Sequence, residues 1–278
     1  MANIMKDMTI AQYVNAIATE LNAESKTVEK ANGVIRHGIV MKTETNCCPT
    51  IYVEEFYEAD MSVKDAAKEV EKIAKANTFN VDVSRITDYE FVKPLLRARL
   101  YNKATKAEIF RKAKDFDDLI IVPVIELGDI GEGRGSGSVR VSAALLNGYN
   151  VTKRELIDTA IKNSSEDSTI QSMESVMMSI MTGKEVKPVE EVGINPQMIV
   201  LSNRNKCFGA ISALILKKRL QSIFPNGYVV LPSSVHEVIV TPYTPGCEDV
   251  LNGMVQEVNV SEVQPEEILG SKAYVFAA

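Results

Sequence analysis

Residues 197–278 switch between short apolar runs and amphipathic ones, in an order that constrains the fold more than any other feature of the chain. "MIVLSN" (198–203), "YVVLPSS" (228–234), "HEVIVTPY" (236–243) and "KAYVFA" (272–277) read as strands, rich in β-branched and aromatic residues. "GAISALILKKRLQSIF" (209–224), stopped by Pro225 and Gly227, and "EDVLNGMVQEVN" (248–259) carry apolar residues at helical spacing. The resulting order, β-α-β-β-α-β, is that of a ferredoxin-like split βαβ unit.

Upstream the signals are mixed. Thr9 is placed to cap a helix with Ile10, Tyr13, Val14, Ile17 and Leu21 on one face. Asn32-Gly33 marks a hairpin, because that pair accepts the positive φ angles of a type I′ turn. "TIYVEEFYEA" (50–59) reads as a strand running into a turn, and Ser62 with Asp65 as the cap of a helix carrying Ala66, Val70 and Ile73. "LLRARLYN" (95–102) alternates Leu96, Ala98 and Leu100 with Arg97, Arg99 and Tyr101, as a half-buried strand does. A short helix is expected around 106–114. After it comes the most apolar strand of the chain, "DDLIIVPVIEL" (117–127), in which Pro123 calls for an edge or a bulge. "SVRVSAALL" (138–146) reads as a strand turning helical, and Thr152 with Glu155 as a capping box opening a helix over 152–163. The expected fold class is α+β, in three parts: a mixed N-terminal α/β portion (1–165), a helix and linker (166–196), and the ferredoxin-like C-terminal unit (197–278).

Charge narrows the function classes. The 31 Lys and Arg against 37 Asp and Glu give a net charge of −6. That sign opposes a nucleic-acid backbone or an anionic membrane as main partner, since both reward clustered cations. The dense basic run Lys217-Lys218-Arg219 fits the wet face of its helix. No apolar run approaches the roughly 20 residues that span a bilayer. "MANIMKDMTIAQYVNAIATELN" lacks the basic start and unbroken apolar stretch of a signal peptide, so a cytoplasmic location is expected. The cysteines agree: Cys47 and Cys48 are adjacent, Cys207 and Cys247 solitary, with no Cys-x-x-Cys spacing. Cys47, Cys48 and His37 lack the usual spacing of a zinc site. "EEFYEAD" groups Glu54, Glu55 and Glu58 but is not an EF-hand loop. No metal or cofactor is expected.

"GDIGEGRGSGS" (128–138) follows an apolar strand, where a phosphate loop would sit, but its spacing fits neither Gly-x-Gly-x-x-Gly nor a Walker loop. A hairpin connection accounts for it better. The sharper cluster is "LPSSVHEVIV" (231–240), which suggests Ser234, His236 and Glu237 as catalytic candidates. On one regular strand Ser234 and His236 would share a face and Glu237 would not. A triad would then need a bulge or a distant acid such as Asp117, Asp118 or Glu54. On the other reading, "PSS" makes a turn whose hydroxyls bond loose backbone groups, and His236 hydrogen-bonds the backbone at a strand start.

Four stretches, "CCPTIYVEEFY", "LSNRNKCFGA", "LPSSVHEVI" and "EVNVSEVQPEEIL", resemble an uncharacterised domain-of-unknown-function family of anaerobic Gram-positive bacteria, marked by the Pro-Ser-Ser-x-His-Glu segment. The resemblance runs from about Asn32 to the end and implies a bacterial protein; it implies no mechanism. Two functions follow from the residues. One is a non-enzymatic interaction or regulatory protein, whose partner meets the Met-rich helix 169–182, where Met173, Val176, Met177, Ile180 and Met181 share a face. The alternative is a hydrolase or transferase with His236 as general base, assisted by Ser234, Glu237 or a distant carboxylate. Nucleic-acid binding through the sheet is disfavoured, since only Tyr274 and Phe276 offer stacking rings on its outer strands.

Overall fold

Thr9 opens the first helix as expected. Its hydroxyl accepts from the Gln12 amide while the Gln12 side chain accepts from the Thr9 amide, satisfying two donors that a helix start leaves over. The structure, a computed structural model, describes residues 8–42, 44–46, 48–77, 83–129, 136–183 and 196–278. It divides into two compact units, Met1–Ser84 with Leu127–Gly137, and Arg85–Glu126 with Ser138–Ala278.

In the first unit, α1 (Ile10–Glu20) and α3 (Val63–Ala76) pack with an antiparallel sheet of order β1 (Glu24–Glu29), β2 (Ile35–Val40), β3 (Thr50–Tyr52). Asn32 and Gly33 both take positive φ, 61° and 73°, between β1 and β2. Beyond β3 the expected strand gives way to α2 (Glu54–Glu58). Tyr13, Ile17, Ile39 and Val70 are fully buried at the centre. Each isoleucine there contributes roughly 1.5–3 kcal/mol through its removal from water.

The second unit holds two sheets besides the short helices α4 (Tyr89–Val92) and α5 (Ala143–Tyr149). In the first, β4 (Leu96–Asn102) and β5 (Arg111–Lys112) flank β6 (Leu119–Asp129), which also pairs with β7 (Ser136–Arg140); the end of β6 from Leu127 and the start of β7 to Gly137 belong to the first unit. The helix expected over 106–114 is not formed: Lys112 pairs with Ile120, and the strand contact overrides local helix preference. Residues 130–135 of the Gly-rich stretch lie outside the described residues. Pro123 sits opposite Ala98, whose N–H donates to Ser164 Oγ of α6 (Lys153–Ser165) at 2.9 Å, so β4 asks no hydrogen bond of the proline.

The second sheet is antiparallel throughout, in the order β12 (Tyr274–Ala277), β10 (Gly227–Leu231), β11 (Val238–Pro242), β9 (Ile199–Asn203), β8 (Ser168–Ser172). Residues 197–278 follow the expected β-α-β-β-α-β order, and β11 lies between β9 and β10 as in a split unit, but the sheet is not ferredoxin-like: the last strand, β12, pairs with β10 and not with the first strand, β9. β12 is added beyond β10, and β8 beyond β9. The helix expected over 209–224 comes in pieces: a 3-10 turn (Gly209–Ile211), α8 (Ser212–Ile215) and α9 (Lys217–Ile223). Ser212, fully buried, donates to Ser202 O and lies 3.0 Å from Ser168 Oγ, tying α8 to β9 and β8. α7 (Met173–Thr182) leads out of β8, and α10 (Glu248–Ser261) covers Val229 and Leu231 of β10 through Val255.

Candidate functional site

Residues 232–237 connect β10 to β11 rather than extending either strand. Ser234 and His236 therefore share no strand face. The Ser234 hydroxyl accepts from the His236 amide at 3.1 Å, and the Ser234 amide donates to Glu237 O, a local turn closed by its own side chain.

His236 is held through its carbonyl and through its ring. Its carbonyl accepts from the Gly209 amide at 2.9 Å and the Ser202 hydroxyl at 2.8 Å. Its ring nitrogen Nδ1 accepts from the Phe208 amide at 3.1 Å. An amide can only donate, so Nδ1 supplies the lone pair and the proton of the neutral imidazole sits on Nε2. Nε2 faces Glu267 Oε1 at 3.3 Å, and the Glu267 carbonyl accepts from the Val235 amide. The carboxylate beside the imidazole is thus Glu267, in a turn far downstream. Of the acids considered from the sequence, Asp117 pairs with Lys272, Asp118 accepts from Tyr274 OH, and Glu54 lies in the first unit beside His37. Cys47 lies outside the described residues. Among the described residues no three His, Cys, Asp or Glu side chains gather as a metal cluster.

What His236 holds is the loop from Asn203 to Gly209. Asn203 staples it by accepting from the Cys207 amide and donating to the Cys207 carbonyl, at 3.0 and 2.7 Å. Lys206 and Phe208 both take left-handed backbone, φ 52° and 56°. For a bulky residue such as Phe208 that conformation costs about 1–3 kcal/mol and persists only where neighbours enforce it. Here the enforcement is visible. The Phe208 amide is taken by His236, its ring lies 5.0 Å from the imidazole, and the Arg99 guanidinium sits 3.7 Å from its centre. Gly209 admits no side chain, because a Cβ there would meet the Asn203 backbone nitrogen. The Cys207 thiol is half-buried, and burial pushes its pKa up, with Arg99 opposing; it stays protonated near neutrality and is no activated nucleophile.

Beside this loop lies a narrow polar cleft with about 20 Å³ of free space, room for one water, lined by Arg97, Arg99, Glu126, Asp167, Asn203 and Asn205 among others. Arg97 donates through Nε to Asp167 at 3.1 Å and through Nη1 to the Pro94 and Leu96 carbonyls. Alternation along β4 gave Arg97, Arg99 and Tyr101 a common face, and a wet one was expected; instead Arg99 and Tyr101 are buried. Sequence reasoning missed Arg99, Phe208 and Glu267. The available signal was two arginines spaced for one strand face.

A family model matches residues 4–278, and the chain belongs to the family it describes, a family of unknown function (DUF5688). None of the curated proteins matches the chain. No solved structure matches it either.

Proposed function

We propose, for this member of a family without an assigned activity, that the protein acts by binding another protein rather than by breaking bonds, with α7 as its contact surface. The observation that carries this reading is the outer side of that helix. Met177, Met178, Ile180 and Met181 are 56–83% exposed, and no residue of α7 is buried. Scattered apolar residues on a surface are ordinary; four on two turns of one helix are a patch that seeks cover. The thioether side chains adapt to varied surfaces at low strain.

The occupant is a second copy of the chain. In a two-fold contact each residue lies near its own counterpart, so a charged helix would repel itself. From Ser175 to Thr182 the helix carries no charge, although the chain as a whole carries −6. Support for binding over catalysis also comes from His236, whose base lone pair is already used by the Phe208 amide. The catalytic alternative, with Ser234, His236 and Glu237, would require that bond to be given up. The setting that goes with the reading is a bacterial cytoplasm, which keeps the unpaired Cys207 and Cys247 reduced.

Sedimentation equilibrium of the wild type and of the double variant Met178→Asp, Met181→Asp tests it. Both positions are exposed, so the variant keeps its fold. The wild type should dimerise in the micromolar range and the variant should be monomeric. A wild type that stays monomeric, or a variant that dimerises equally well, overturns the proposal.

A further inference from the structure

β4 and β5 lie on opposite sides of β6, so the chain between them, residues 103–110, has to cross from one flank of that strand to the other. The crossing is held in place. The Lys103 amide donates to Asp118 O at 2.7 Å, the Thr105 amide donates to Asn102 O at 2.9 Å, and Thr105 and Ile109 are buried. Beside the crossing lies a groove with about 770 Å³ of free space, within the roughly 300–1,000 Å³ of small-molecule sites. Its apolar wall is mostly aliphatic, made by Ala104, Ala107, Leu119 and Ile120 together with the Phe110 ring.

The charge at the groove has the opposite sign to that of the chain. Lys103, Lys106 and Lys112 line it, and the Lys153 ammonium stands 4.8 Å from the centre of the Phe110 ring. Two acids line it as well, and both are engaged. Asp117 accepts from Lys272 at 2.8 Å, and Glu108 accepts from the Ala143 amide at 2.7 Å at the start of α5. Lys103 acts on Asp117 only from longer range, and among the described residues neither Lys103 nor Lys112 has a carboxylate at ion-pair distance. On a chain of net charge −6, a groove edged by such cations favours an anionic guest. A bare inorganic anion would leave the aliphatic wall wet, and a neutral hydrocarbon would leave the lysines without a counter-ion. An acid group on an aliphatic body satisfies both. A lysine ammonium is a compact point charge, so it takes a carboxylate without demanding the paired geometry of a guanidinium. We infer that this groove binds a small aliphatic carboxylate, its acid group toward Lys103 and Lys112 and its hydrocarbon on Ala107, Phe110, Leu119 and Ile120.

Isothermal titration of the full chain decides it, with hexanoate, octanoate and decanoate, with octylammonium, and with inorganic phosphate. Octanoate should bind saturably in the millimolar range or tighter. Each added methylene covered by the wall should tighten Kd by about three- to fourfold. Octylammonium and phosphate should bind at least about tenfold more weakly. The double variant Lys103→Glu, Lys112→Glu changes two exposed side chains and should weaken octanoate at least about tenfold. Neither lysine is on α7, so Met178→Asp, Met181→Asp should bind octanoate as the wild type does, which separates the groove from the dimer contact. Should the lysine variant lose its fold by circular dichroism, salt takes its place. Octanoate binding to the wild type should weaken severalfold between about 0.02 and 0.5 M sodium chloride, since salt screens charge attraction between exposed groups. The inference is overturned by any of four results: no octanoate binding, or affinity that does not grow with chain length; octylammonium or phosphate binding as tightly as octanoate; octanoate binding indifferent to the lysine variant, or to salt in its stead; or octanoate binding lost in the α7 variant.

Discussion

Two tyrosines on neighbouring strands of the second sheet, Tyr228 and Tyr274, meet burial differently. Tyr274 OH donates to Asp118 at 2.6 Å, and burial together with that carboxylate pushes its pKa far up. Tyr228 stacks on Phe276 at 4.8 Å, but its hydroxyl is buried without a hydrogen-bond partner, and burial raises its pKa to about 12. Tyr13 in the first unit is likewise raised to about 12. A tyrosine held neutral in the fold ionises first in the unfolded chain, near pH 10. Its stabilisation is therefore complete below about pH 10 and is lost as pH climbs toward the folded value, roughly 2–3 kcal/mol for a two-unit shift. Urea denaturation at rising pH should show this loss between about pH 10 and 12. At neutral pH Tyr274→Phe should cost about 1–3 kcal/mol, since it strips Asp118 of a charge-assisted hydrogen bond. Tyr228→Phe should cost nothing or stabilise. Equal losses from both substitutions would contradict this account of their hydroxyls.

Local elements were legible wherever side chain and backbone of near neighbours decide them. Thr9, Ser62 and Thr152 each cap the helix expected of them, and Asn32-Gly33 turns the expected hairpin. Elements decided by distant contacts were not. Residues 106–114 have good helix formers, yet a strand pairing claims Arg111 and Lys112. The run 209–224 has one apolar pattern but breaks at Leu216, while Ser212 ties its start to two strands. In the same way "PSSVHE" showed its turn-forming serines but not Phe208 or Glu267, the groups that its histidine meets across the fold. If His236 is the latch of the 203–209 loop, His236→Ala should cost about 1–3 kcal/mol by leaving the Phe208 amide unpaired. His236→Asn, with a carbonyl in reach of that amide, should recover part of it. Chemical denaturation with both variants as stable as the wild type would sink the latch.

At the scale of the molecule, this α+β chain ties down His236, Cys207, Asp117 and Asp118 and leaves the outer side of α7 open. His236 is engaged at both ring nitrogens, Cys207 is held as a thiol, and Asp117 and Asp118 are spent on Lys272 and Tyr274. By contrast α7 carries three exposed methionines at its outer side. The measurement that bears most directly on the binding account is a methionine-methyl NMR spectrum followed across protein concentration. Met177, Met178 and Met181 should shift or broaden together as concentration rises, while Met254, exposed on α10, should stay in place. Methyl signals of α7 that do not move with concentration, or a response led by Met254, would contradict the account.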